Sequence, residues 1–323
     1  MGPNVTYDPN FSVMTPGPNT LTQPTAADFQ AIQSIYGTPA QAAEQDKSWS
    51  WNAETNTLAQ VLNGGPQTVR GISTNNVITC GSGNDTVYAI GSGTNTITGG
   101  AGTDVLVGGS GKNLLIAGTG PDTFNGWFGK TTVSYQNAPA GVVANLANPS
   151  LNTGEATGDT YLHVIGLIGS KFADTLTADN KGETLTGLGG GDTLVGYSGG
   201  GDTFLDTATH LNGATIQNFA GKGDAIDITD LPFAGASLSF SGGVLTVTNG
   251  AKSAAITLSG TFTQSDFHMV ALGKGVKITQ TGGSLATFVA ASAGLGGTGQ
   301  AVAPQLAEGG FHLTAAVALA ARP

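Results

Sequence analysis

The 323-residue sequence is poor in basic charge, cysteine, histidine and long apolar runs. Eleven Lys+Arg stand against 21 Asp+Glu, a formal net charge of −10, whereas a nucleic-acid partner calls for a basic face. The single cysteine, Cys80, excludes an internal disulfide framework and a cysteine-based zinc site. The four histidines, His163, His210, His268 and His312, are scattered singly. The opening MGPNVTYDPN has no basic stretch followed by an apolar core, so no N-terminal secretory signal is expected there. The longest apolar candidates, Ala286–Ala293 and Leu313–Ala321, fall far short of the ~20 residues that span a bilayer.

What is plentiful is glycine, with 52 residues and no collagen-like triplet period. The glycines are periodic. A first array reads ISTNNVIT, GSGNDTVYA, GSGTNTIT, GGAGTDVLV, GGSGKNLLI and AGTGPDTFN. Its aligned polar positions are Asn76, Asp85, Asn95, Asp104, Asn113 and Asp122, nine residues apart except for one step of ten at Ala89. A second array, GSKFADTLT, ADNKGETLT, GLGGGDTLV and YSGGGDTF, aligns Asp174, Glu183, Asp192 and Asp202. A fixed period of this kind signals stacked supersecondary units.

Each repeat divides into a short strand and a turn. In the three-residue strand the middle side chain points inward; these positions are Ile78, Val87, Ile97, Leu106, Leu115, Phe124, Leu176, Leu185, Leu194 and Phe204, all large and apolar. The other six residues turn the chain, with glycine supplying positive φ and close backbone approach. One strand and one turn reverse the direction, so two repeats complete a coil and repeat n stacks on n+2. Stacked turns bring carboxylates and backbone carbonyls around a shared point, and oxygen-only ligands suit a hard cation such as Ca²⁺. Without it the carboxylates would repel, so binding free energy becomes folding free energy.

The pattern G-G-x-G-x-D-x-U-x resembles the repeat of RTX (repeats-in-toxin) proteins. That resemblance implies an all-β fold, a parallel β-roll in two repeat blocks with a β-rich C-terminal cap and one short N-terminal helix. It also implies several bound Ca²⁺ ions, with Asp85, Asp104, Asp122, Asp174, Glu183, Asp192 and Asp202 and the turn glycines Gly83, Gly102 and Gly120 as ligands. Stacking by n+2 adds an asymmetry. Asp85, Asp104 and Asp122 fall on one edge of the first block, which should hold calcium. Asn76, Asn95 and Asn113 fall on the other, expected to be a ladder of amides bonded between coils. In the second block Asp174 pairs with Asp192 and Glu183 with Asp202, so both edges keep acids.

The flanks carry a second resemblance. FSVMT (Phe11–Thr15) is similar to the Met-turn of metzincin peptidases, and TAADFQAIQSIYG (Thr25–Gly37) resembles the last helix of the serralysin catalytic domain. ATIQNFAGKGDAIDITDL resembles the serralysin-type C-terminal cap, and GVLTVTNGAKSAAITLSG reads as a hairpin through Asn249-Gly250. Asp224, Asp227 and Asp230 could bind another cation, but turn capping is the stronger reading, since Asp commonly bonds its own backbone at turns. The expected organisation is a catalytic-domain remnant (1–40), a connecting segment (41–70), a first β-roll block (71–125), a β-rich insert (126–168), a second block (169–205), a cap (206–281) and a tail (282–323). The resemblance implies an extracellular protein exported without an N-terminal signal, by a type I secretion apparatus reading the tail.

No H-E-x-x-H motif is present, so Zn²⁺ and peptidase activity are not expected of the chain as written. The competing reading is a fragment of an active secreted zinc metalloendopeptidase whose zinc motif lies upstream of Met1. A polysaccharide-cleaving solenoid enzyme is weaker, since the acids fall in turns rather than on outward strand positions. GYSGG (Gly196–Gly200) matches a nucleophile elbow, but Ser198 is followed by another repeat instead of a helix. GKTT (Gly129–Thr132) fails as a phosphate loop because its first glycine would fall at Phe124.

Overall fold

A computed structural model describes Val5–Thr6 and residues 46–280, apart from 73, 181, 221 and 222. The metzincin-like Phe11–Thr15, the expected helix Thr25–Gly37 and the tail 282–323 lie outside the described residues.

The described chain is a nearly all-β parallel β-solenoid. Alternate strands build one continuous sheet: Thr57–Leu62, Asn75–Thr79, Thr94–Thr98, Lys112–Ile116, Lys130–Ser134, Gly166–Ile168, Thr184–Thr186, Thr203–Asp206 and Ala225–Ile228 pair in that order, all parallel. The strands between them form two further sheets. One runs from Thr68–Arg70 through Thr86–Tyr88, Val105–Val107 and Thr123–Asn125 to Thr160–Leu162. The other runs from Val143–Asn145 through Thr175–Thr177 and Thr193–Val195 to Thr215–Gln217.

Register explains the core. The ten inward positions named from the repeat are all buried to 1% exposure or less. They stack on one another, Ile97 on Leu115 and Leu106 on Phe124, with further rungs at Val69, Val133, Ala144, Leu167, Ile216 and Ile226. Each such side chain contributes roughly 1.5–3 kcal/mol on burial. Glycine is required where the turns stack. Gly102 has φ 141° and Gly120 φ 120°, and a Cβ on either would collide with the carbonyl of the equivalent glycine one coil earlier, Gly83 or Gly102.

The coil winds on where the repeat letters lapse. Strands within residues 41–70 already pair in parallel with the first block, and Lys130–Ser134 and Thr160–Leu162 continue both sheets through residues 126–168. Antiparallel hairpins extend the sheets at both ends of the parallel stack. Asp46–Asn52 covers Thr57–Leu62 at one end. At the other, Lys252–Ser259, Val244–Asn249 and Ser237–Ser241 extend one sheet, and Gly275–Gln280 and Phe267–Leu272 extend the other. The hairpin expected at Asn249-Gly250 is there, with Asn249 opposite Lys252. A phenylalanine cluster of Phe204, Phe219, Phe240, Phe262 and Phe267 fills this end. The one short α-helix among the described residues is Ala208–Leu211, N-capped by Thr207. No described helix is long and apolar enough to cross a membrane.

Candidate metal centre

The acids of the first block stand in a column. Asp85, Asp104 and Asp122 are each 2% exposed or less. One carboxylate oxygen of each accepts a backbone N–H from the coil before it. Gln67 N donates to Asp85 Oδ1 at 2.8 Å, Asp85 N to Asp104 Oδ1 at 2.8 Å and Asp104 N to Asp122 Oδ1 at 2.9 Å. The second oxygens face the turn. Asp85 Oδ2 is buried without a hydrogen-bond partner, and Asp104 Oδ2 accepts from Gly100 N at 3.0 Å. A Cβ at Gly99 would lie 3.4 Å from both Asp104 Oδ2 and Asp122 Oδ2, so these two oxygens converge on one point of the turn.

The column runs further than its letters suggest. Asp122 N donates to Asp159 Oδ1 at 2.8 Å, making Asp159 a fourth rung. Its other oxygen is closed by protein, since Tyr135 OH donates to Asp159 Oδ2 at 2.7 Å and also meets Tyr161 OH. Gly158-Asp159-Thr160 repeats the Gly191-Asp192-Thr193 triplet, which was the available signal.

The opposite edge holds amides. Asn76 Nδ2 donates to Asn95 Oδ1 at 2.7 Å, Asn95 Nδ2 to Asn113 Oδ1 at 2.8 Å and Asn113 Nδ2 to Thr131 Oγ1 at 2.9 Å. Each amide also bonds the backbone of its own turn, as with Ile72 N to Asn76 Oδ1 and Gly109 N to Asn113 Oδ1. This edge is bonded from end to end without a charge.

In the second block Asp174 N donates to Asp192 Oδ1 at 3.0 Å, and Glu183 N to Asp202 Oδ1 at 3.1 Å. Asp224 extends the latter column, accepting from Asp202 N and Ala220 N. Asp230 lies apart, bound to Lys252 Nζ, and Asp227 is buried beside Lys277. Ser198 is exposed in a turn with no helix after it.

Burial raises the carboxyls of Asp85, Asp174 and Asp202 above their ordinary range. It pushes Asp122 up to about 7, with the charges of Asp159 and Asp104 adding to it, and Asp192 up to about 7, with Asp174 and Asp206 adding to it. Glu183 rises to about 8 through burial and its hydrogen bond with Asp179. No Lys, Arg or His pairs with these columns among the described residues. Buried carboxylates without a counter-charge are costly.

Residues 63–89 and 90–129 match the family of the RTX calcium-binding nonapeptide repeat, in four copies. The repeats of the first block are RTX repeats. No curated protein matches the chain. The match covers the first block, and RTX repeats bind calcium. The donor set fits that ion. Among the described residues no three His, Cys, Asp or Glu side chains gather as a metal cluster, and the donors that the acid edge offers are carboxylate oxygens and backbone carbonyls. Such all-oxygen sets suit Ca²⁺.

Proposed function

We propose that the chain is a calcium-folded module whose columns of buried carboxylates take Ca²⁺ outside the cell. In the first block Asp85, Asp104 and Asp122 would hold the ions with the carbonyls of Gly83, Gly102 and Gly120. In the second, Asp174 with Asp192 and Glu183 with Asp202 would do so. The observation that carries this reading is the convergence of Asp104 Oδ2 and Asp122 Oδ2 beside Gly99 in a column with no basic partner among the described residues. Bound calcium supplies the missing positive charge. Low cytosolic calcium would keep the chain loose for export, and extracellular calcium would fold it. RTX character supports export by a type I apparatus.

Circular dichroism during calcium titration tests this. β-structure should appear at roughly 10⁻⁴–10⁻³ M Ca²⁺, and Mg²⁺, which demands tight octahedral geometry, should substitute poorly. A chain equally folded in chelator and in calcium overturns the reading.

The organisation proposed around this module is the one set out from the sequence, with the stretch Phe11–Gly37 as a remnant of a serralysin-like catalytic domain. A second reading, a piece of a zinc metalloendopeptidase, rests on FSVMT and IQSIYG alone. The chain itself should not cleave casein. Cleavage that survives repurification and stops with a zinc chelator would favour the second reading.

A further inference from the structure

The amide edge carries an open groove of about 460 Å³, lined by Asn75, Ser92, Thr94, Ser110, Lys112 and Lys130. Parallel register stacks Asn75, Thr94, Lys112 and Lys130 on successive coils, with Lys112 directly opposite Lys130. Like charges opposed across neighbouring strands are destabilising. Neither lysine has an ion pair among the described residues, and no Asp or Glu lines the groove. Two unpaired cations in register on a chain of net charge −10 mark a place built for an anionic ligand.

One coil further, the repeat breaks its own rule. Where earlier coils carry Gly91-Ser92 and Gly109-Ser110, this one carries Trp127-Phe128. Trp127 adopts φ 51°, a left-handed conformation that costs a bulky residue about 1–2 kcal/mol. The rings meet edge to face at 5.9 Å, yet Phe128 is 86% exposed and Trp127 49%. Strain maintained to display apolar surface to water calls for a functional reason.

We propose that this edge binds an acidic polysaccharide lying across the coils. The carboxylates of the sugar chain would sit between Lys112 and Lys130. Its hydroxyls would meet Ser92, Thr94, Ser110 and Asn75, and a sugar ring would stack on Phe128 or Trp127. Uncharged hydrogen-bonding groups outnumber the cations, and the aromatic pair stands at one end only. A single-stranded nucleic acid wants a row of stacking platforms and a cationic track.

The test is calorimetry on the calcium-loaded full chain with a galacturonate hexamer, its fully methyl-esterified form and a single-stranded oligonucleotide. The acidic hexamer should bind, and the neutral ester at least tenfold more weakly. Lys112→Gln with Lys130→Gln should weaken binding at least tenfold, and Phe128→Ala about fivefold. Melting temperature and calcium stoichiometry should not change, which separates failure here from failure of the calcium reading. No binding of the hexamer, equal binding of the ester, tighter binding of the oligonucleotide, or unaltered binding by the variants overturns the proposal.

Discussion

Two edges of the first block are made from the same nine-residue repeat with nearly isosteric rungs, Asp85, Asp104 and Asp122 on one and Asn76, Asn95 and Asn113 on the other. Both columns are buried. An amide carries a donor and an acceptor, so each Asn can accept from one coil and donate to the next, and the ladder closes on itself. A carboxylate only accepts. Asp104 and Asp122 each accept a coil-to-coil N–H with Oδ1 and a turn N–H with Oδ2, whereas Asp85 Oδ2 is left without a partner, and in the proposed reading a cation completes this column. A difference of one atom type per rung thus separates an edge that bonds through its own amides from one that, in the proposed reading, takes a metal. It also means that half of the first coils should be pre-bonded before calcium arrives.

The strongest way to break this contrast is at Asp104, the middle rung. In the proposed reading Asp104→Ala removes a ligand shared by two adjacent sites. At calcium about ten times the dissociation constant, each lost site costs roughly 1.4 kcal/mol of linkage stabilisation. It also strips the acceptor from Asp85 N and Gly100 N, at about 1–3 kcal/mol for a buried unsatisfied donor. Calorimetry should count two fewer calcium ions, and a full count would end the shared-site picture. Asp104→Asn sharpens the point. Its single amide oxygen keeps an acceptor for Asp85 N while Gly100 N loses its own, so it should lose the same two calcium ions as Asp104→Ala with a smaller loss of stability in calcium.

The second way is pH. The folded carboxyls of Asp122 and Asp192 sit at about 7 and that of Glu183 at about 8, above ordinary values of 3.8 and 4.5. The calcium-free fold therefore binds more protons than the unfolded chain between those limits, and its stability falls as pH rises through them. Calcium must displace these protons, so its affinity rises over the same range. Circular dichroism should show more β-structure in the chelated protein at pH 5 than at pH 8, and thermal melts should show the calcium-loaded protein more stable at pH 8 than at pH 5. The amide edge does not titrate and contributes to neither trend. Equal β-structure in chelator at the two pH values would contradict the buried-acid account.

How far the sequence could be read follows from the same chemistry. Inward positions were legible because each must be apolar, and Ile78 to Phe204 are all buried as expected. Edge asymmetry was legible because Asp and Asn alternate at a fixed period. Asp159 and Asp224 were not recognised as rungs, because their coils lose the glycine pattern. Glu155 occupies a glycine position of the Asp159 turn, and the aligned position in the preceding coil of the amide edge is Thr131, which carries the ladder on with a hydroxyl. A solenoid tolerates such lapses because stacking needs the inward side chain and the parallel register more than any letter in the turn. The aromatic pair at Trp127-Phe128 was passed over for a related reason, since strain and exposure appear only in three dimensions.

The smallest effect expected is at Asn95, the amide counterpart of Asp104. Asn95→Ala deletes its bonds to Asn76 and Asn113, but both neighbours keep partners. Asn76 Nδ2 still donates to the carbonyls of Ile72 and Thr74, and Asn113 Oδ1 still accepts from Gly109 N. No donor or acceptor on those neighbours is stranded, so the cost should be about 2 kcal/mol, two ordinary hydrogen bonds at about 1 kcal/mol each. Calcium stoichiometry should not change. Equilibrium denaturation in saturating calcium measures the first quantity and calorimetry the second. If Asn95→Ala lost as many calcium ions as Asp104→Ala, both edges would be metal edges and the distinction between them would fall.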